Sequence, residues 1–321
     1  MRAMQVVELG QPLALRDVAE PTPGAGEVLV RVAACGLNFG DLLIVKGTYQ
    51  EKPHLPATLG MEMAGTIEAV GDGVTHMSVG QRVAAYAGFG GLAEYAALPA
   101  EICVPVPDEM TFVDAAAFLV AYGTSHVALD YKARLQPGER LLVLGASGGV
   151  GLTAVELGKL MGAEVIACAR GAAKLEVARQ AGADHLLDSE TCDLKADVKA
   201  LGGADVVYDP VGGELFDAAL RACNPEARLL PLGFASGTVP QIPANYLLVK
   251  NLSVLGFYWG GYMRVNPSVL TDSFAVLFDW YAQGRLKPHV SHVLPLAQAN
   301  DGLALLRTRT ATGKVVIDVT A

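Results

Sequence analysis

The run Gly145-Ala146-Ser147-Gly148-Gly149-Val150-Gly151 follows the apolar stretch Arg140 to Leu144 and leads into a segment in which Val150, Ala154, Leu157 and Met161 recur at helical spacing. A strand, a glycine turn and a helix in that order make an anion site. The first N–H groups of a helix have no partner within it, and their aligned dipoles leave partial positive charge at that end. Gly148 stands where a diphosphate could approach the backbone, and Gly151 where helix and strand must lie close together. A glycine cluster alone can be an ordinary turn. The flanking elements and the βα alternation after them favour dinucleotide binding through Ser147, Gly148, Gly149, Val150 and Gly151.

The next strand decides which dinucleotide is expected. An NAD site places an acid about 20 residues beyond the loop, against the ribose 2′-hydroxyl. Here the region reads Cys168-Ala169-Arg170-Gly171-Ala172-Ala173-Lys174, with no acid. Arg170 and Lys174 offer positive charge suited to a 2′-phosphate, so NADP(H) is expected; the alternative is two solvated surface charges.

These residues need a parallel sheet behind them, and the sequence supplies one. Strands are read at 140–145, 164–169, 184–187, 205–208, 228–232 and 252–257, alternating with helical patterns as a doubly wound sheet requires. Residues before about Ala121 read instead as short β segments broken by turns, such as 26–34, 65–73 and 80–85. The 321 residues exceed one typical domain, which points to two. With 52% hydrophobic and 18% charged residues the chain is far from the composition of disorder, and a net charge of −9 argues against nucleic acid. Five cysteines without a CxxC pair fit a reducing compartment. The first residues lack the apolar core of a secretory signal, and the longest uncharged stretch, 229–249, is interrupted by Pro231, Pro240 and Pro243. A cytoplasmic protein with no membrane partner is expected.

Taken together the motifs resemble the medium-chain dehydrogenase/reductase superfamily, and within it the zinc-free NADPH:quinone oxidoreductases related to zeta-crystallin. The resemblance runs nearly end to end. It includes Cys35-Gly-Leu-Asn-Phe-Gly-Asp41, Gly47-Thr-Tyr49, Leu59-Gly-Met-Glu-Met-Ala-Gly65, Tyr122-Gly-Thr-Ser125, the glycine loop, Asp209-Pro-Val-Gly-Gly213, Gly233-Phe-Ala-Ser-Gly237 and Thr312-Gly-Lys314. It implies an α/β chain: a GroES-like, mostly β catalytic domain of residues 1–121 and 263–321, and a Rossmann NADP(H)-binding domain of residues 122–262, with nicotinamide in the cleft. By the same resemblance Asn38, Asp41 and Tyr49 are the catalytic candidates, Thr124 contacts the cofactor, and Gly233 and Phe234 lie over the nicotinamide ribose. One departure is Asp188-Ser189, where many relatives have a Tyr-Arg pair.

Zinc alcohol dehydrogenases of this superfamily take a cysteine where Asn38 stands here and a histidine where Met61 stands, so no metal is expected. The pair His289 and His292 sits three apart in a strand-like run and faces opposite sides. Without a Lewis acid the substrate must itself be electrophilic, which suits quinones and enones. Direct hydride delivery from NADPH is expected, with Asn38 and Tyr49 as candidate donors and Tyr49 or an ordered water giving the proton. Reduction of enones, enals or enoyl thioesters is an alternative, as is a non-catalytic, crystallin-like or regulatory NADPH-binding protein. In the cluster Phe257-Tyr258-Trp259-Gly-Gly-Tyr262, Tyr258 and Trp259 either wall a substrate pocket or pack in a core or dimer interface; a homodimer is expected either way.

Overall fold

The computed structural model describes residues 1–321, which divide into two units: Met1–Val120 with Trp280–Ala321, and Ala121–Asp279. The first unit is built on β1 (Glu27–Leu37), a mostly apolar strand whose Val28, Val30 and Val32 suit extended backbone and which is buried along most of its length. After it come α1 (Phe39–Lys46), β2 (Glu62–Val70) and β3 (Arg82–Tyr86). One sheet runs in the order Val290–Pro295, Lys314–Asp318, β1, β2, β3, Cys103–Pro105, and Tyr95–Pro99 also pairs with β1.

The register of that sheet assembles the polar residues. β1 and β2 are antiparallel with Gly36 opposite Glu62, and the C-terminal strand Lys314–Asp318 places Val316 opposite Gly36 on the other side. The end of β1 and the starts of β2 and the C-terminal strand therefore meet at one end of the sheet. Gly36 makes the meeting possible. A Cβ there would lie 2.0 Å from the Ala116 carbonyl oxygen and 2.9 Å from a Glu62 carboxylate oxygen. β1 then stops because Asn38, in extended backbone, caps α1; that helix closes at Gly47 in the left-handed conformation (φ 77°).

The second unit holds β4 (Arg140–Leu144), α2 (Gly149–Leu160), β5 (Glu164–Ala169), α3 (Ala172–Gln180), β6 (His185–Asp188), β7 (Ala204–Asp209), β8 (Cys223–Pro231) and β9 (Ser253–Val254). All ladders are parallel, in the order β6-β5-β4-β7-β8-β9. That is the doubly wound order 3-2-1-4-5-6, whose switch point lies between β4 and β7 at the carboxyl ends of the strands. Leu142, Ile166, Val207, Phe216 and Leu229 are completely buried together, each contributing on the order of 1.5–3 kcal/mol.

Two expectations need correction. Of the strand read at 252–257 only Ser253–Val254 forms a ladder, since it has a single neighbour at the sheet edge and Gly256 interrupts the run beyond Leu255. The return to the first unit comes at Trp280, not at residue 263. The helix Ser268–Ala282 packs almost wholly within the second unit, where Phe274 meets the Trp259 ring edge-on and Ser273 shares a 2.9 Å hydrogen bond with His126. No helix is long and apolar enough to cross a membrane.

Candidate active site

In the first unit four polar side chains close on one another below the surface. The Lys314 ammonium donates to the Leu37 carbonyl oxygen (2.9 Å), Asn38 Oδ1 (2.7 Å) and Glu62 Oε1 (2.5 Å). Those are all three of its protons. Asn38 Nδ2 donates to Glu62 Oε1 (2.9 Å) and, at 3.3 Å, to the Gly36 carbonyl, while Glu62 Oε2 accepts the Val120 N–H (2.9 Å). Asp41 Oδ2 accepts the Asn38 N–H (2.8 Å), which ties the first turn of α1 to its cap. Lys314 is 5% exposed, Glu62 1% and Asp41 0%.

Burial dominates the electrostatics here. It pushes the Asp41 carboxyl up from 3.8 to about 7; the Asn38 amide and the Lys314 charge pull it back, Glu62 repels it further upward, and the Gly60 amide again lowers it. Asp41 Oδ1 has no hydrogen-bond partner, consistent with a carboxyl that keeps its proton more readily than a solvated one. The Cys35 thiol is raised well above its usual range, first by burial and then by the charges of Asp41 and Glu62. It has no tendency to act as a thiolate nucleophile.

The structure thus brings Asn38 and Asp41 together, but it changes the role of Asn38. Both ends of its amide are engaged inward: the oxygen must accept from the ammonium, so the nitrogen must face the carboxylate. The side chain has no donor left for a substrate, which corrects the expectation that it supplies one. The two positions that would carry zinc ligands do not fit a metal either. Asn38 is held by Lys314, and the Met61 thioether packs on α1 so tightly that a Cβ on Gly40 would meet its Sδ at 2.6 Å. Tyr49 is half-exposed, unlike the buried Asp41, Glu62 and Lys314; its backbone N–H donates to Leu43 O (3.2 Å) and its ring lies 3.4 Å from the same Gly40 position.

In the second unit the glycine loop has the geometry its sequence requires. Gly148 caps α2, and a Cβ on Gly151 would come within 2.2 Å of the Gly145 carbonyl oxygen. Ser147 is buried, Gly149 and Val150 open the helix, and Thr124 is buried in the helix Leu119–His126. Arg170 is exposed at the end of β5, 3.4 Å from Glu190, and Lys174 is half-buried in the first turn of α3. Asp188 braces this corner by accepting the N–H groups of Gly171 (3.0 Å) and Glu190 (3.1 Å). These amides hold its carboxyl below the usual range. Gly233 and Phe234 come after β8 at the same carboxyl end, with Phe234 40% exposed. The aromatic pair separates: Tyr258 is exposed, whereas Trp259 is buried against Phe274 and within 3.0 Å of the Gly123 Cβ position. Trp259 is a core residue of its own unit, which corrects its reading as a pocket wall.

Similarity to known proteins agrees with this geometry. Residues 24–108 match the alcohol dehydrogenase GroES-like domain and residues 149–274 the zinc-binding dehydrogenase family. A quinone oxidoreductase-like protein 2 homolog from Nematostella vectensis is 40% identical over 99% of this chain and 88% of its own length. The chain belongs to the medium-chain dehydrogenase/reductase superfamily, in its quinone oxidoreductase branch. Solved structures concur: the Pseudomonas syringae quinone oxidoreductase superposes with a TM-score of 0.93 at 32% identity, covering 99% of each chain. The Escherichia coli quinone oxidoreductase, solved with NADPH, does so at 0.92 and 29% identity, covering 99% of this chain and all of the other.

For this quinone oxidoreductase relative, three contributors escape a reading of the sequence. Glu62 and Lys314 lie inside family motifs without a role that the motifs themselves suggest; the available signal is a lone charge beside an apolar strand, Met-Glu-Met-Ala and Lys-Val-Val-Ile. The third is Ser125, whose hydroxyl donates to the Val150 carbonyl (2.9 Å) and shares hydrogen bonds of 2.8 Å with Thr153 and Tyr208. It ties the helix bearing Thr124 to the first turn of α2.

Proposed function

We propose that this chain reduces quinones with NADPH by direct hydride transfer and without a metal ion. The observation that carries the reading is the state of Asn38 and Met61: where the fold family places metal ligands, an amide is locked to a lysine and a thioether is packed on a helix. NADPH, when bound, supplies the hydride. The residues suited to hold it are the amides at the start of α2 for the diphosphate, with Arg170 and Lys174 for the 2′-phosphate; Thr124, Gly233 and Phe234 complete the set. The NADPH-complexed Escherichia coli relative supports that cofactor choice.

The acceptor gains a hydride and a proton, giving a hydroquinone, and the negative charge that develops on its oxygen is spread by conjugation. That electronic help replaces the Lewis acid. Tyr49, half-exposed beside α1, is the proton donor in this scheme, directly or through water. The test is NADPH oxidation with chelator present against p-benzoquinones, enals and a crotonyl thioester. Chelator-resistant turnover fastest with quinones supports the reading; turnover confined to enoyl thioesters or abolished by chelation overturns it. We also propose that two chains pair through the short edge strand β9, next to the exposed Leu248 and Val249, which a mass measurement in solution checks.

A further inference from the structure

The cluster around Lys314 is more elaborate than a sheet end requires. Three oxygens from three separate places converge on one ammonium: the last carbonyl of β1, the cap of α1 and the first side chain of β2. Without that ammonium the Glu62 carboxylate, the Asn38 amide oxygen and the Leu37 carbonyl would face one another with too few donors. Nothing in the sheet ladder needs a charge at this point, and an apolar side chain opening the C-terminal strand would bury at lower cost.

The cluster also has a direction. Asn38 is the cap of α1, Asp41 ties the first turn back to it, and in that turn the position a Cβ on Gly40 would take lies 2.6 Å from Met61 Sδ and 3.4 Å from the Tyr49 ring, so both side chains pack on this glycine. Beyond Gly47 the chain returns so that the N–H groups of Thr48 and Tyr49 both donate to Leu43 O. A shift of the cap is therefore passed to the tyrosine through one short helix.

We propose that Lys314 is a positioning residue: an internal ammonium that fixes Asn38 and the entry into α1, and thereby holds Tyr49 where the acceptor meets it. The assignment rests on the quinone reductase reading for its kinetic consequence, but not for its structural one. Lys314 does not act on substrate, because its three protons are engaged and it is almost wholly buried.

The test uses the full chain with Lys314→Met and with Lys314→Met/Glu62→Gln. The single variant leaves Glu62 as an uncompensated buried charge and is expected to lose stability. The double variant removes both charges and recovers a melting temperature near that of the wild type. In that stable double variant kcat with p-benzoquinone is expected to fall at least tenfold while the NADPH dissociation constant changes less than threefold. The amides of residues 41–49 should exchange hydrogen at least tenfold faster, with no change in the second unit. A stable double variant with wild-type kcat and wild-type exchange at 41–49 would make Lys314 a structural residue only and overturn the assignment. If the wild-type chain turns over no quinone, the proposed function fails, and the exchange data judge Lys314 alone. If neither variant folds, Lys314→Arg decides: retained charge with at least a tenfold drop in kcat supports positioning, and unchanged kcat and exchange overturn it.

Discussion

Asp41 makes this fold less stable as pH rises, and the effect can be isolated by one substitution. Burial holds its carboxyl at about 7, against 3.8 without the protein environment. Below 3.8 both folded and unfolded chains carry the proton and the group contributes no pH dependence. Between the two values the unfolded chain has released the proton and the folded chain still binds it. Stability then falls by about 1.4 kcal/mol per pH unit. Above about 7 both forms are ionised and the loss levels off, at roughly 4 kcal/mol from the size of the shift. Asp41→Asn keeps the shape and an acceptor for the Asn38 N–H but cannot ionise. Between about pH 5 and pH 8 the variant should gain about 2.5 kcal/mol relative to the wild type. Denaturant unfolding of both chains at unit steps of pH measures the difference, from which every other titrating group cancels to first order. A difference independent of pH, or one that moves against the variant as pH rises, would refute the argument that burial outweighs Lys314 at this carboxyl.

The cofactor site yields two further expectations. Gly151→Val places a side chain where even a Cβ would lie 2.2 Å from the Gly145 carbonyl, so α2 must move off β4. NADPH affinity by fluorescence titration should drop at least 30-fold, about 2 kcal/mol. Arg170→Asp with Lys174→Ala should weaken NADPH at least 30-fold and NADH less than threefold. Glu190→Gln, which releases Arg170 from its exposed ion pair, should tighten NADPH two- to fivefold; equal effects on both nucleotides would reject the 2′-phosphate role. Tyr49→Phe should lower kcat with p-benzoquinone at least tenfold at unchanged NADPH affinity, and unchanged turnover across pH would remove it as proton donor.

The range of the forces involved decides which features are legible in the sequence and which are concealed. The strands of the second unit are legible because each is a local apolar run, and the glycine loop because Gly148 and Gly151 answer to backbone geometry within the span from Gly145 to Gly151. Arg170 is legible as a charge but not as half of a pair, since Glu190 reaches it only across the corner that Asp188 braces. The end of β9 is misread because an edge strand looks like any apolar run until its single neighbour is known. Trp259 is left open in the sequence because an aromatic cluster fits a pocket as well as a core, and only the packing of Phe274 decides. The Lys314 network is the extreme case. Its partners lie 252 and 276 positions away, and what joins them is a register: Gly36 facing Glu62 on one side and Val316 on the other. The same register explains why Asn38 reads in sequence as a donor to substrate but in the fold spends its amide protons on Glu62 and Gly36. An asparagine at a helix cap is free to meet a substrate only if nothing buried needs it, and here a carboxylate and an ammonium both do. Chemistry carried by such a residue is indirect, so its loss should appear in the placement of Tyr49 before it appears in the affinity for any ligand.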